Sequence, residues 1–526
     1  MLFKINRIII NSKNELLRQT SCFFFWINIK LLEGLTEECP LTQDKTNKCK
    51  LSHCCGGSMK LIVCCFAILS FAITTILVLQ LVYASNLLQA NSSIHGAVAT
   101  DYTNCSQIGT KILRKGGNAI DAAIAATVCM TVVAPHKTGL GGGGYMILYS
   151  HKDKSEPLVI NFANNTVGGI FGTLGIRLPA VLKGLEFAHI LKGVLPWNEL
   201  IEPAAKLART GFVISKELEY ELSNNSDYGM LYGHINAGDI LRLNDLADTL
   251  DAVAKNGTIV LYNGTLSLKL LRDEVKKEEL LLQLANYKPE ISIAKKTSFY
   301  KHSLYYPSGV FDFETSINAL EDLKISFEIA SKTETMGLVA QTLLHSNGRS
   351  SDMIKNVEQE RYTGVMVMDG QDSYVSVLTG LSAPLGSIHM TGTGFLLDKT
   401  GNDNDLSTLL PIIFHNEEKP CELRGVLGTD DTILSSQLLY HLIVRGLNVS
   451  TAIEHPRYYL LSDGISIEND QSHILKTVLQ NKSNLSMPVS NIDAISISKS
   501  VNAIIKHRDL ITSHSDSRGG GLASRF

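Results

Sequence analysis

Residues Cys105 to Tyr145 read CSQIGTKILRKGGNAIDAAIAATVCMTVVAPHKTGLGGGGY. Two short helical patterns meet at Gly116-Gly117. Asn104 is the N-cap candidate for a helix through Lys115, and the glycine pair stops it. Asn118 caps the next helix, with Asp121 in the first turn, where the dipole favours a carboxylate. Ile120, Ala123, Ile124 and Val128 give that helix an apolar stripe. Cys105 and Cys129 stand at nearly equal distances on either side of the glycine pair, so an antiparallel helix pair brings them together at its open end. An exported compartment permits the bond. The expectation is a Cys105–Cys129 disulfide, with Cys421 left buried and free.

The loop that follows, Gly139 to Gly144, formally satisfies G-x-G-x-x-G. That signature needs a strand before it and a helix after it. Here a helix precedes, and the strand Tyr145 to Tyr149 follows, which argues against a dinucleotide site. No Gly-Lys-Ser/Thr follows to make a P-loop. The 15 histidines contain no H-E-x-x-H, and no C-x-x-C accompanies them. No metal or cofactor is expected.

The chain has 526 residues and a formal net charge of -3, so no basic surface points to nucleic acid. Leu61 to Leu79 carries no charge and at helical rise covers roughly 28 Å, about a bilayer's hydrocarbon thickness. Lys45, Lys48, Lys50 and Lys60 precede it, and the next Lys or Arg is Lys111. The positive-inside rule then leaves the N-terminus cytoplasmic and the large C-terminal part outside, a single-pass type II topology at the plasma membrane. Met59 is an alternative start, and the segment would then read as a signal peptide ending near Ala84-Ser85. Cys54, Cys55, Cys64 and Cys65 are candidates for acylation or are free thiols. The expected division is a cytoplasmic tail or overextended start (1–58), a signal-anchor (59–83), a stem (84–93) and an extracellular domain (94–526). Acceptor triplets for glycosylation begin at Asn91, Asn104, Asn164, Asn224, Asn256, Asn263, Asn448, Asn481 and Asn484.

Within the large part, Val365 to Leu381 alternates around Asp369-Gly370 and reads as a hairpin. Gln437 to Gly446 reads as a helix. Strands and helices without a βαβ rhythm make an α+β layered fold.

The Cys105–Tyr145 block, Leu195 to Phe212, Leu261 to Gly264, Leu385-Gly-Ser387, Glu454-His-Pro-Arg457 and Ser515 to Gly521 together resemble the γ-glutamyltransferase (glutathione hydrolase) family, in particular its divergent vertebrate type 7 branch. The resemblance implies the αββα four-layer sandwich of N-terminal nucleophile hydrolases. It also implies a chain that cuts itself into two halves, exposing a threonine that opens a strand as Thr-x-His-x-Ser. The freed amine serves that threonine as base. Substrates would be glutathione or other γ-glutamyl compounds.

The sequence departs from the family at that spot. Counting back from Leu385-Gly-Ser387 puts Tyr362 at the nucleophile position, and counting back from Asp369-Gly370 puts Glu360 there. Thr363 is the nearby threonine and needs a one-residue slip; its plain reading is a β-branched strand residue. The arginine that grips the substrate carboxylate in the family falls on Ala163, which has no guanidinium fork. A Thr and an Asn after the hairpin fall on Gly380 and Ser382. A substrate-holding glutamate falls on Thr400, while its neighbouring aspartate is matched by Asp403. The glycine pair of the oxyanion hole falls on Asp430-Asp431, whose carboxylates oppose the charge such a hole must stabilise. Two readings follow: a relative with weak or no catalysis, or an active enzyme using Thr363 and Asp403.

Overall fold

The structure is a computed structural model that describes residues 63–80, 95–163, 175–224, 232–233, 235–270, 277–310, 313–322, 339, 342, 362–382, 385, 391–398, 406, 408–419, 421–461, 464–468, 489–492 and 500–526. The chain forms two units, Met1–Leu87 and Leu88–Phe526. In the first, Val63–Gln80 is an 18-residue helix of mean hydropathy 2.3 with no buried residue, long and apolar enough to cross a membrane. Cys64 and Cys65 are exposed on it.

The second unit is built on two sheets. In chain order the strands are β1 (Ala97–Thr100), β2 (Gly143–Ser150), β3 (Leu158–Asn161), β4 (Glu290–Ile293), β5 (Lys295–Phe299), β6 (His302–Tyr306), β7 (Tyr362–Met368), β8 (Ser373–Gly380), β9 (Leu410–Asn416), β10 (Arg424–Thr429), β11 (Asn502–His507), β12 (Leu510–Ser515) and β13 (Ser524–Arg525). One sheet runs β13-β1-β7-β8-β2-β3-β4 and the other β12-β11-β10-β9-β6-β5. Because side chains alternate along a strand, each strand feeds two layers. Tyr362, Met366 and Met368 of β7 meet Ile413, Val426 and Ile504 between the sheets. Val365 and Val367 of the same strand face outward with Val375 and Val377 of β8. They pack under the helices α1 (Thr103–Arg114), α2 (Ala119–Val133), α3 (Val181–Lys192) and α4 (Trp197–Thr210). On the far side Leu304, Phe414, Leu427 and Ile505 pack under α5 (Phe313–Asp322), α6 (Thr432–Leu439) and α7 (Val449–Ile453). Helix, sheet, sheet and helix make the αββα sandwich expected from the sequence.

Asn118 and Asp121 form a reciprocal capping box at the start of α2. Asp121 is fully buried and also accepts the backbone N–H groups of Val194 and Leu195. Cys105 and Cys129 are bonded, joining α1 to α2. The glycine loop serves close packing. A Cβ on Gly141 would meet the Leu396 carbonyl at 2.2 Å, one on Gly142 the Gly380 carbonyl at 2.3 Å, and one on Gly144 the Leu378 carbonyl at 2.1 Å. The loop lets β8 and the 391–398 segment lie directly against it.

Four details differ from the sequence reading. The N-cap of α1 is Tyr102, with no side-chain cap bond, and Asn104 lies inside the helix, exposed. Every residue of α2 is buried, so it is a central helix and not a one-striped surface helix. Cys421 is free but exposed, on the turn between β9 and β10, and not buried. The helix from Gln437 begins earlier, at Thr432, and ends in a π turn, Tyr440–Val444.

Candidate active site

The head of β7 is where the resemblance places the chemistry. Tyr362 opens the strand, with Arg361 and Glu360 outside the described residues. The Tyr362 phenol is buried between the sheets and donates to the Ser500 carbonyl at 2.7 Å. Thr363 is the second strand residue and is fully buried. By alternation it shares the helix-side face of Val365 and Val367. Its Oγ1 lies 3.3 Å from Thr379 Oγ1 across the ladder to β8. Thr379 in turn accepts from Thr138 Oγ1 at 2.9 Å, so three hydroxyls form a buried row.

The backbone just after Thr363 is also held. Gly364 N–H donates to Asp101 Oδ2 at 3.2 Å, and Asp101 Oδ1 accepts from Asn502 at 2.6 Å and Ser500 at 2.8 Å. Burial pushes the Asp101 carboxyl above its usual range, while the charge of Lys137 and the hydrogen bonds of Ser500, Asn502 and Gly364 pull it back. Lys137 is itself buried and pairs with Glu217 at 2.8 Å.

The other positions picked out by the sequence are occupied as follows. Ala163 is buried, and its N–H is bonded to Asn161 Oδ1 at 2.9 Å. Gly380 ends β8 opposite Tyr362. Ser382 donates through its N–H and its hydroxyl to Asp398, at 2.8 and 2.9 Å, and Arg177 Nε lies 3.5 Å from the same carboxylate. Asp431 is the N-cap of α6, its Oδ1 accepting from Ile433 N–H at 2.8 Å and Leu434 N–H at 3.1 Å. A helix N-terminus is the natural place to hold an anion, and here the chain's own carboxylate takes its N–H groups. Thr400 and Asp403 lie outside the described residues. Of the glycosylation candidates, Asn104, Asn256, Asn263 and Asn448 are exposed, and Asn224 ends the helix Lys216–Asn224. Asn91, Asn164, Asn481 and Asn484 lie outside the described residues. Among the described residues no group of three His, Cys, Asp or Glu is placed to hold a metal ion.

Sequence reasoning did not find Asp101, Thr138, Thr379, Ser500, Asn502, Asp398 or the Lys137–Glu217 pair. Their partners are mostly 100 or more positions away in the chain, as with Thr138 and Thr379 at 241 or Asp101 and Asn502 at 401. The one local signal is a run of polar residues at the ends of apolar segments, Thr100-Asp101 after β1 and His136-Lys-Thr138 before the glycine loop.

The chain is similar to known proteins over much of its length. The family model described as gamma-glutamyltranspeptidase matches residues 105–363. Glutathione hydrolase 2 of Arabidopsis thaliana is 36% identical over 247 residues, 42% of this chain and 43% of that protein. Glutathione hydrolase 7 of Mus musculus is 25% identical over 460 residues, 69% of each. The match thus spans less than half the length of the plant relative. Among solved structures, cephalosporin acylase from Bacillus halodurans superposes with a TM-score of 0.67 at 16% identity, over 82% of this chain and 96% of that one, which shows a shared fold.

Proposed function

We propose that the chain is a divergent member of the γ-glutamyltransferase family and a membrane-anchored ectoprotein with weak or no catalysis. The observation that carries this reading is the seat of Thr363. The resemblance implies a nucleophile that opens its strand, with its hydroxyl beside its own freed amine. Thr363 is the second residue of β7, and its hydroxyl is buried against Thr379 on the helix-side face. Tyr362 occupies the opening position and has no nucleophile of that kind.

Two further features support it. Ala163 lacks a fork for a substrate carboxylate. The Asp431 carboxylate takes the N–H groups at the start of α6. Anion stabilisation of the oxyanion-hole type is worth several kcal/mol, and a fixed negative charge in the same place opposes it. For the membrane part, the support is the Val63–Gln80 helix with the lysines preceding it, and the exposure of Asn104, Asn256, Asn263 and Asn448 is compatible with an extracellular domain.

The second reading is an active glutathione hydrolase or γ-glutamyl transferase, made of two self-cleaved halves and using Thr363, with Asp403 holding substrate. The names of the relatives favour it. The full-length chain, purified in detergent, separates the two. The proposed reading expects one uncut polypeptide that does not release the chromophore from a γ-glutamyl amide. The second reading expects two fragments, a new N-terminus at Thr363, and turnover that Thr363→Ala removes.

A further inference from the structure

A cavity of about 260 Å³ lies at the β4 edge of the sandwich. Tyr145 of β2, Asn161 of β3 and Glu290 of β4 line it. They form one cross-strand row, Tyr145 paired with Asn161 and Asn161 with Glu290. Directly paired residues of antiparallel strands share a face, and for this row it is the inter-sheet face on which Tyr145 packs. Pro307, which follows β6 of the other sheet, also lines the cavity and with Val159 and Ile291 gives it apolar wall.

The row carries polar groups that the fold leaves available. Tyr145 is 5% exposed, and its hydroxyl has no hydrogen-bond partner among the described residues. A buried hydroxyl left unbonded is costly, so this one calls for a polar group inside the cavity. Glu290 is exposed, accepts from Asn161 Nδ2 at 3.2 Å through Oε2, and is in no ion pair among the described residues. Asn161 is committed to that bond and to the Ala163 N–H, so it orients the carboxylate. Burial and the Glu290 charge hold the Tyr145 phenol up to about 12, so it stays neutral at physiological pH, its oxygen open as an acceptor.

We propose that this cavity binds a small primary amine in its ammonium form, the ammonium on Glu290 and the Tyr145 hydroxyl oxygen and the apolar body against Val159, Ile291 and Pro307. A carboxylate with no counter-charge attracts a monocation and repels anions, and its bonds to N⁺–H groups are about twice as strong as neutral ones. A hard ion such as Ca²⁺ takes about six to eight oxygen ligands, more than this row supplies, and the apolar wall suits an organic body. Along the sheet the row continues through Leu378 to Gly364, the neighbour of Thr363. Thr363 faces the helices, on the other side of the sheet, so the amine site is separate from it. The inference does not depend on whether Thr363 is a nucleophile.

The test is calorimetric titration of the full-length chain in detergent with benzylamine, beside benzyl alcohol, its neutral counterpart. Wild type is expected to bind benzylamine saturably, in the millimolar range or tighter, and benzyl alcohol about tenfold more weakly or less. Glu290→Gln, at an exposed position, keeps an acceptor for Asn161 and removes the charge. It should weaken benzylamine about tenfold and leave the melting temperature unchanged. Tyr145→Phe keeps the ring and should weaken benzylamine about threefold. If that variant fails to fold, the Glu290→Gln titration decides alone. Equal binding of the two ligands, a Glu290→Gln variant that binds benzylamine like wild type, or no saturation at millimolar benzylamine would overturn the proposal and leave a water-filled crevice.

Discussion

Two corners of the sandwich carry residues that the family resemblance singled out, and they differ in what holds them. At the first, Glu454-His-Pro-Arg457 meets the C-terminal Ser515 to Gly521. Arg457 is buried, and its guanidinium bonds the Asp516 carboxylate and, at 2.9 Å, the Ile453 carbonyl. Arg518 bonds Asp516 at 3.0 Å and Glu468 at 2.5 Å, while Glu454 accepts from the N–H and hydroxyl of Ser517 at 2.9 and 2.6 Å. At the second corner, the head of β7, the expected chemistry is replaced by Tyr362, a buried Thr363, and an Asp431 that caps its own helix. In the first corner, losing one side chain removes a charged partner from a buried network. In the second, each replacement finds a local partner, and the fold loses little. A scaffold can therefore stay intact while the site on it changes.

This contrast can be broken from its strong side first. Arg457→Met takes from Asp516 one of its two guanidinium partners, Arg518 being the other, and is expected to cost about 3 kcal/mol, read as loss of unfolding free energy in denaturant. A cost below about 1 kcal/mol would remove the distinction between the two corners. The disulfide comes next. Cys105 and Cys129 close a loop with a sequence separation of 24, and replacing both by Ser should cost about 3 kcal/mol.

The Lys137–Glu217 pair sharpens the comparison through pH. The Glu217 carboxyl is depressed from its usual 4.5 to about 2 in the folded chain. Its contribution is then fully present above about pH 4.5 and is lost as pH falls toward 2. The gap in melting temperature between wild type and Glu217→Gln should hold at neutral pH, corresponding to on the order of 1–3 kcal/mol, and close progressively below pH 4.5. A gap that stays constant with pH would mean that the pair does not hold the carboxylate ionised. On the weak side of the contrast, Asp431→Ala removes an N-cap and should cost about 1 kcal/mol, with no effect on any transfer activity. Thr363→Ala should be the mildest, below about 1 kcal/mol, because it removes one neutral hydroxyl contact.

How much of this was legible in the sequence follows from the range of the contacts. The capping box at Asn118 and Asp121, the Asp369-Gly370 hairpin and the Cys105–Cys129 bond depend on residues close in the chain, and local rules reach them. Asp369 also shows the limit. Besides its turn bonds to Gln371 and Ser373 it accepts the Ala119 N–H at the start of α2, which no local rule predicts. The Asn104 cap failed because the helix starts earlier, at Thr103, after a Tyr102 packed against the core, so a packed residue took the cap position from a good capping side chain. Cys421 was misplaced because an isolated cysteine carries no periodicity to tell a turn from a core. The amphipathic reading of α2 failed because a helix covered on all sides needs no polar face. At the site, the altered positions Thr363, Ala163 and Asp431 were legible as departures from the family pattern. What they do instead depends on partners such as Thr379, Ser500 and the first turn of α6, which the packing of the two sheets brings together.

The central claim is that this chain, similar to γ-glutamyltransferases, has no self-exposed threonine nucleophile. N-terminal sequencing of the full-length chain after purification tests it most directly, run beside a γ-glutamyl amide hydrolysis assay. The account predicts a single uncut chain and no release above the buffer rate. A fragment beginning at Thr363, with turnover abolished in Thr363→Ala, would contradict it.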